Sequence, residues 1–403
     1  MDRLLPHPVH QHHLPQLRHL RLRPQEPPQL RPPVQRTIPR YSIHNQGTLD
    51  FINFVCRSVG TLLLIVFRVK RQKLVYTVAG LIQILGYAML VGAHYERDYM
   101  AGYSVVGNAV VGLSRGVNFI PFVMVSESFN PKTEQHYLNI WQGLYALGTL
   151  FGYGFSYFLI DRFSWHTSLL LMCGLFLLSL VLQHAFVPEV QPKLEPTHEL
   201  TLSDTACFIK SFLSKPAQAL LIVEAGWMIL ILLNMENWSI YYLTKLGVPH
   251  IMYIVGFSGL LGLPGTMLLE FLVAKLRELK GMVTYSFLML VVAFNLYFAM
   301  VPAGAGSEVH YFIIFYGINF FLTGPYSRLS SETIELVEKD PTEKLVISSL
   351  SLLAREMMGA LNFYCVGSFM EKNLNYLTGI QVLVSVVTVV AHLWRRALEK
   401  ETN

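Results

Sequence analysis

Charged residues are scarce in this chain of 403 residues. Asp, Glu, Lys and Arg together make up 14% of it, whereas hydrophobic residues make up 53%. So little charge cannot cover the water-facing surface of a protein of this size, which excludes a soluble globular protein. The mean hydropathy of +0.42 comes from repeated apolar runs near the roughly 20 residues that cross a bilayer. We therefore expect the lipid bilayer to be the solvent of most of the chain.

Cysteines and catalytic motifs are equally sparse. The four cysteines lie far apart, without a CxxC pair or the spacing of metal ligands. The sequence also lacks a Ser-His-Asp set, a pair of catalytic carboxylates and an HExxH motif. We therefore expect free thiols, no metal site, no cofactor and no enzyme activity. The cysteines are Cys56, Cys173, Cys207 and Cys365.

The N-terminal segment is poor in acidic residues and has no apolar run. Residues 1–45 hold seven arginines, nine prolines and six histidines, against only Asp2 and Glu26. Proline interrupts helices, and so polar a composition cannot form a packed core. We predict a disordered segment over residues 1–49. A mitochondrial targeting peptide is the alternative, although the prolines disfavour the amphipathic helix that such a peptide needs.

Eleven apolar runs follow one another from residue 50 onward, each of a length suited to a membrane-spanning helix. The runs occupy about 50–67, 74–93, 101–125, 137–160, 167–187, 217–243, 250–274, 282–301, 309–329, 345–370 and 374–394. A polar, proline-containing stretch, 188–216, divides the runs into five spans within 50–187 and six within 217–394, and 395–403 forms a tail. The sequence predicts an all-α membrane protein of two helical bundles with about eleven spans.

The distribution of Lys and Arg predicts the orientation in the membrane. The alternate loops that include 68–73 and the linker, together with the C-terminal tail, contain 17 of these residues, and the intervening loops contain 4. Basic loops are retained in the cytoplasm, so we expect a cytoplasmic linker and C-terminus. An odd number of spans would then place the arginine-rich N-terminus outside. We therefore expect one span of an original twelve to be missing ahead of residue 50.

The two halves repeat one another. A basic loop, Arg68 to Lys73, follows the first run, and a similar loop, Lys275 to Gly281, follows the second run of the later half. Parallel repeats of this kind occur in several membrane folds, although basic loops also recur by chance. Aligning the two loops leaves the first half one helix short at its start.

Residues 50–394 resemble the major facilitator superfamily, whose halves are six-helix repeats with a short basic loop after the second helix. Two stretches also resemble the organophosphate:phosphate antiporters, which exchange glycerol 3-phosphate and sugar phosphates. The first stretch is Trp141-Gln142-Gly143-Leu144-Tyr145, and the second is Gly324-Pro325-Tyr326. The resemblance implies a secondary active transporter that moves a small organic solute, such as a sugar phosphate, by alternating access. The family supplies cations from helices 1 and 7, whereas the run 217–243 has no Lys or Arg.

Polar residues inside the spans are the candidates for a substrate site, because a charge there costs about 2.5–3.5 kcal/mol unless it has a partner or a cavity. Arg355 and Glu356 lie about 100° apart on a helix, so they cannot face the same partner. Glu236 suits a cavity or, alternatively, the outer interface beside the aromatic Trp238. Arg57 is as consistent with snorkelling as with a ligand role. The predicted substrate-binding residues are Arg115, Trp141, Gln142, Tyr145, Glu236, Tyr242, Arg355 and Asn362.

Each candidate has a structural alternative, such as an ion pair for Arg115 or core packing for Trp141 and Tyr145. The competing function is that of a transport-deficient, truncated family member that acts as a membrane receptor or interaction protein. We expect a small-molecule substrate, no nucleic acid partner and a monomer, in either the plasma membrane or an internal membrane.

Overall fold

A computed structural model describes most of the predicted bundles. It covers residues 42–67, 72–93, 102–120, 165–187, 202–302, 304, 306–335 and 341–402, with scattered positions between 144 and 163. All regular secondary structure in this described part of the chain is helical. The segment 1–41 and most of the predicted span 137–160 lie outside the described residues.

The first half contributes four described helices. Helix α1 spans Ile43–Phe67, α2 spans Gln72–Gly92, α3 spans Tyr103–Arg115 and α4 spans Trp165–Phe186. A short 3-10 turn, Gly116–Phe119, continues α3. These helices coincide with the predicted first, second, third and fifth spans.

Helix α1 begins earlier than predicted, inside the segment 1–49 that we expected to be disordered. The backbone N–H of Asn45 donates to Oγ of Ser42 at 3.0 Å, which is an N-cap. Ile43 and Leu49 are buried, at 7% and 1% exposure. The predicted boundary was therefore wrong, because a capping serine and buried apolar side chains extend the helix by two turns.

The linker between the halves also contains a helix. Helix α5 spans Leu202–Leu213 within the stretch that we predicted to be a solvated linker. Its Phe212 is buried against Ile222 and Ile347 of the second half. The linker is thus anchored to the second bundle by an apolar contact, which its overall polarity concealed.

The second half begins with one long helical segment, in which a π turn separates two α-helices. Helix α6 spans Pro216–Leu233, a π turn occupies Asn234–Trp238, and α7 spans Ser239–Lys245. The remaining helices follow the predicted spans, except that two of them continue past the predicted ends at 329 and 394, so that 395–402 of the predicted tail is helical. They are α8 Ile251–Leu260, α9 Gly262–Lys275, α10 Lys280–Met300, α11 Glu308–Glu335, α12 Pro341–Lys372 and α13 Tyr376–Thr402.

Six described helical segments are long and apolar enough to cross a membrane. These segments are Lys73–Gly92, Thr167–Phe186, Pro216–Lys245, Ile251–Lys275, Lys280–Met300 and Tyr376–Lys400. Large apolar side chains on their outer faces are exposed, for example Leu170 and Leu178 of α4 and Phe271 of α9. A bilayer would cover such faces, which agrees with the predicted all-α membrane fold.

The helices of the two halves pack in the same order. In the first half, α1 packs on α3, α2 packs on α3, and α2 packs on α4. In the second half, α8 and α9 pack on α11, α10 packs on α11, and α10 packs on α13. Helix α1 therefore corresponds to the second helical segment of the later half. Within the described residues, the first half has no counterpart of the long α6–α7 segment.

Glycines allow the corresponding helices to approach closely in both halves. Gly60 of α1 lies against the backbone of Leu113 in α3, and Gly265 of α9 lies against the backbone of Phe320 in α11. A β-carbon at either glycine would overlap a carbonyl oxygen, so a larger residue would force the helices apart.

Helix α1 also connects the two halves, because it packs along α12. The two helices run antiparallel. Nδ1 of His44 lies 3.0 Å from Oγ of Ser368, and the rings of Phe54 and Phe363 are 5.0 Å apart. This contact runs from the Ile43 end of α1 to its middle, where the polar residues of the site lie.

Candidate functional site

An ion pair joins the two halves at the middle of the α1–α12 contact. Nε of Arg57 in α1 lies 3.0 Å from Oε1 of Glu356 in α12, and the two side chains are 26% and 5% exposed. A charge at this depth is costly unless it has an opposite charge beside it. Each of the two residues therefore supplies the opposite charge that the other needs at this depth.

Two further guanidinium groups lie near the same carboxylate. Arg115 of α3 and Arg355 of α12 act electrostatically on Glu356, as Arg57 does. Arg115 also acts on Asp50 of α1. These five residues, which we call the arginine cluster, carry three positive and two negative charges.

Arg115 is held in place by a tyrosine hydroxyl. Its Nη2 donates to Oη of Tyr87 in α2 at 3.0 Å, and the same oxygen accepts a hydrogen bond from Gln83 at 3.1 Å. A hydroxyl orients a guanidinium group without cancelling its charge. Arg115 was predicted from the sequence as a substrate-binding residue, and that role stays a prediction.

Arg355 has the same kind of partner on the other side of the cluster. Its Nη1 donates to Oη of Tyr326 in α11 at 2.8 Å, and its guanidinium lies 4.8 Å from the centre of that ring. Tyr326 ends the stretch Gly324-Pro325-Tyr326 that the sequence analysis singled out. Because the neighbouring Glu356 faces α1, the two adjacent charges have different partners, as their 100° separation requires.

A buried amide cluster lies two turns further along α12. Nδ2 of Asn362 donates to Oδ1 of Asn234 at 2.6 Å, and Nδ2 of Asn234 donates to Oε1 of Gln381 at 3.4 Å. Nε2 of Gln381 in turn donates to the carbonyl of Ile231 at 3.2 Å. The side-chain amide of Asn362, a predicted substrate residue, is therefore hydrogen-bonded inside the second bundle. Through Asn234 it connects α12 to the π turn and to α13.

Glu236 lies in the π turn between α6 and α7. Such turns are rare and are found disproportionately at functional sites. Here Oγ of Ser239 donates to the carbonyl of Asn234 at 3.1 Å, and Trp238 packs 5.7 Å from Phe363. The Glu236 side chain is half-buried and has no ion pair within the described part of the chain. Its role in a cavity stays a prediction.

The other predicted residues are not brought to the arginine cluster. Tyr242 is 5% exposed and lies edge-on to Phe298 of α10 at 5.5 Å. It belongs to the apolar core of the second bundle, because its face of α7 is turned towards α10. Trp141, Gln142 and Tyr145 lie outside the described residues.

The sequence analysis left the role of Arg57 open and did not single out Asp50 or Tyr87. Asp50 and Arg57 are seven positions apart, which places them on one face of a helix two turns apart. From that spacing, the sequence could have predicted that Asp50 and Arg57 face the same neighbouring helices. Tyr87 carries no comparable signal, since its partner Arg115 lies on another helix.

Comparison with known proteins identifies the family. The family model of the Major Facilitator Superfamily matches residues 34–336, which is well over half of the chain. The chain belongs to the Major Facilitator Superfamily. No curated protein matches it in sequence.

One solved structure shows the same superfamily fold. The crystal structure of the fucose:proton symporter of E. coli is similar with a TM-score of 0.60 and 13% sequence identity. The similarity covers 90% of this chain and 92% of the symporter chain. The predicted resemblance and two-bundle fold are thus confirmed, and the chain is a multi-pass membrane protein of a superfamily of secondary transporters for small solutes.

Proposed function

We propose that this member of the Major Facilitator Superfamily transports a small organic anion, such as a sugar phosphate, through a site at the arginine cluster. The proposal rests on one observation: Arg57, Arg115 and Arg355 lie near the interface of the bundles, where all three act on the carboxylate of Glu356. Guanidinium groups bind phosphate and carboxylate oxygens with two parallel hydrogen bonds, which suits them to such a substrate.

The ion pair between Arg57 and Glu356 links substrate binding to the contact between the two bundles. An anion that binds Arg57 takes the place of the Glu356 carboxylate as its partner. Because these residues lie on different bundles, the exchange of partners loosens the α1–α12 contact. Alternating access requires that such contacts between the bundles break on one side of the membrane and form on the other.

Exchange of one organic anion for another is the mode of transport that we infer. Arg57 loses its carboxylate partner when the bundles separate, and a charge without a partner is costly at this depth. A bound anion gives Arg57 a new partner. We therefore infer that the bundles reorient mainly when loaded, so the protein exchanges one anion for another. The asymmetry of Lys and Arg in the loops supports a cytoplasmic linker and C-terminus for this transporter.

Uptake by the purified protein in proteoliposomes tests the proposal. Vesicles loaded with inorganic phosphate are expected to accumulate glycerol 3-phosphate or glucose 6-phosphate, but not uncharged glycerol or glucose. Arg115→Ala and Arg355→Ala are expected to lower uptake at least tenfold. Arg162→Ala is the matched control, because Arg162 is exposed and lies outside the cluster.

Two outcomes would contradict the proposal. Equal uptake of charged and uncharged solutes would remove the role of the guanidinium groups. A folded protein, as judged by circular dichroism, that exchanges none of these organic anions would instead support the receptor or interaction role.

A further inference from the structure

A second group of charges lies inside the second bundle, on the side of α6 that faces α13. Glu224 of α6 and His392 of α13 are both 0% exposed. Oε1 of Glu224 lies 2.7 Å from Nδ1 of His392, and its Oε2 accepts a hydrogen bond from Nε of Arg395 at 2.7 Å. None of these residues belongs to the arginine cluster.

Arg395 extends this group from the buried pair towards the end of α13. Its Nη1 donates to Glu332 of α11 at 3.0 Å and to Glu399 at 2.7 Å, and the Glu399 side chain is 32% exposed. Arg396 bonds to the same two carboxylates. The guanidinium groups of the network are those of Arg328, Arg395 and Arg396, and its carboxylates are those of Glu224, Glu270, Glu332 and Glu399.

The buried carboxylate of Glu224 has two partners in the described residues, Arg395 and His392. The short contact of His392 with Glu224 is of the length found for charge-assisted hydrogen bonds. Helices α10 and α12 and the π turn that holds Glu236 also pack on α13. Within the described part of these elements no side chain forms an ion pair with His392, and Lys280 of α10 is exposed.

The environment of the other ring nitrogen of His392, Nε2, makes the doubly protonated ring less favourable. Nε2 is buried and has no hydrogen-bond partner in the described residues. When the ring is charged, this position carries an N–H group without an acceptor, which is unfavourable in a dry interior. When the ring is neutral, Nδ1–H still donates to Glu224, and Nε2 is a bare acceptor. Each state of the ring thus has one favourable and one unfavourable feature, a balance that allows the proton to exchange.

We propose that the Glu224–His392 pair is a proton-binding site of the second bundle. The proton site is inferred from the contacts of Glu224 and His392 alone. Only the coupling of its protonation to transport rests on the proposed function. A proton there strengthens the attraction between α6 and α13. Because α6 leads into the π turn, whose Asn234 is bonded to α12, the protonation state is linked to the helix that carries Arg355 and Glu356.

Solid-supported membrane electrophysiology tests the proton site without any solute. Proteoliposomes of the full chain are expected to give a transient charge displacement after a pH jump between about pH 8 and pH 6. His392→Asn retains a donor to Glu224 but cannot titrate, and we expect it to lose the transient. His184→Asn is the matched control, since His184 is exposed on α4. It should keep the wild-type transient.

A His392→Asn protein that is folded and still gives the wild-type transient would overturn the proposal. If His392→Asn does not fold, Glu224→Gln provides the second test, because it keeps the shape of the side chain and removes its charge. We expect Glu224→Gln to lower the amplitude of the transient severalfold, since a protonated imidazole loses its carboxylate partner. An unchanged amplitude would overturn the proposal. Because no solute is added, this experiment tests proton binding even if the protein turns out not to take up organic anions.

Discussion

Gly47 of α1 and Gly367 of α12 face each other so closely that a β-carbon added to Gly367 would lie 3.1 Å from Cα of Gly47. A β-carbon on Gly47 would meet the backbone oxygen of Phe363 at 2.6 Å. The ring of Trp238 lies against the same site, 3.2 Å from the position of the Gly367 β-carbon. The bundles are therefore in backbone contact at the Ile43 end of α1.

Replacing Gly47 by leucine is expected to separate the bundles at this end, because the backbone of Phe363 cannot move aside as a side chain can. The measurement is the rate at which a membrane-impermeant maleimide labels a cysteine placed at Ser368, in a chain whose four native cysteines have been replaced. We expect Gly47→Leu to raise the labelling rate severalfold. Gly174→Leu on α4 is the control, since nothing lies within 4 Å of that position. An unchanged rate in Gly47→Leu would show that the contact is not part of the closed interface.

The ion pair between Arg57 and Glu356 is expected to stabilise the contact between the bundles. Arg57→Met and Glu356→Gln each remove one side of the 3.0 Å ion pair that joins the bundles, so both should lower the thermal stability in detergent. The double variant should lose less than the sum of the two, with a coupling on the order of 1 kcal/mol, because the pair is then absent as a whole. Thermal unfolding of the four proteins by scanning fluorimetry gives this coupling.

The control for this cycle pairs Glu356→Gln with Arg162→Met, which removes an exposed guanidinium group outside the cluster. Additive effects are expected in the control cycle. Additivity in the Arg57 cycle as well would mean that the two charges contribute independently, contrary to the geometry.

Tyr87 and Tyr326 are expected to position the arginines without binding substrate themselves. Tyr87→Phe and Tyr326→Phe each remove one hydrogen bond to a guanidinium group, a loss of about 1 kcal/mol. That free energy corresponds to a rise of about fivefold in the KM for organic anion exchange. Tyr316→Phe on α11 is the control, because Tyr316 is half exposed and stacks on Phe320. A loss of kcat alone, with KM unchanged, would contradict a positioning role in substrate binding.

The helices were predictable because lipid imposes a local requirement. Every residue of a span must suit an apolar solvent, so the runs alone located the starts of the second-half helices closely. The ends of α11 and α13 were missed, because charged residues continue these helices past 329 and 394 to Glu335 and Thr402. The start of α1 was missed because Ser42 caps the helix in a polar context. Residues 43–49 are stabilised there by packing on a distant helix.

The partners in the site were not predictable, because they join distant parts of the chain. Arg57 and Glu356 lie on different bundles, and no periodicity relates them. The adjacency of Arg355 and Glu356 did predict that the two side chains take different partners. Which charge would face which helix depended on the packing of α12 between α1 and α11.

The buried amides of Asn234 and Asn362 give a last prediction. Replacing Asn362 by leucine leaves Oδ1 of Asn234 without the hydrogen bond that it accepts at 2.6 Å. An unpaired buried acceptor costs about 1–3 kcal/mol, so we expect the melting temperature in detergent to fall by several degrees. Asn237→Leu is the matched control, since Asn237 is exposed and bonds only within its own turn, to the carbonyl of Leu233.

This comparison also tests the assignment of Asn362 to the interior of the second bundle. If Asn362 served mainly as a substrate ligand, Asn362→Leu would abolish organic anion uptake and leave the melting temperature unchanged. A fall in melting temperature confined to Asn362→Leu, with Asn237→Leu close to wild type, is expected from the hydrogen bonds. Asn362→Asp adds a further constraint. It keeps the size of the side chain but places a carboxylate against an amide oxygen, so it should lower the melting temperature at neutral pH at least as much as leucine does.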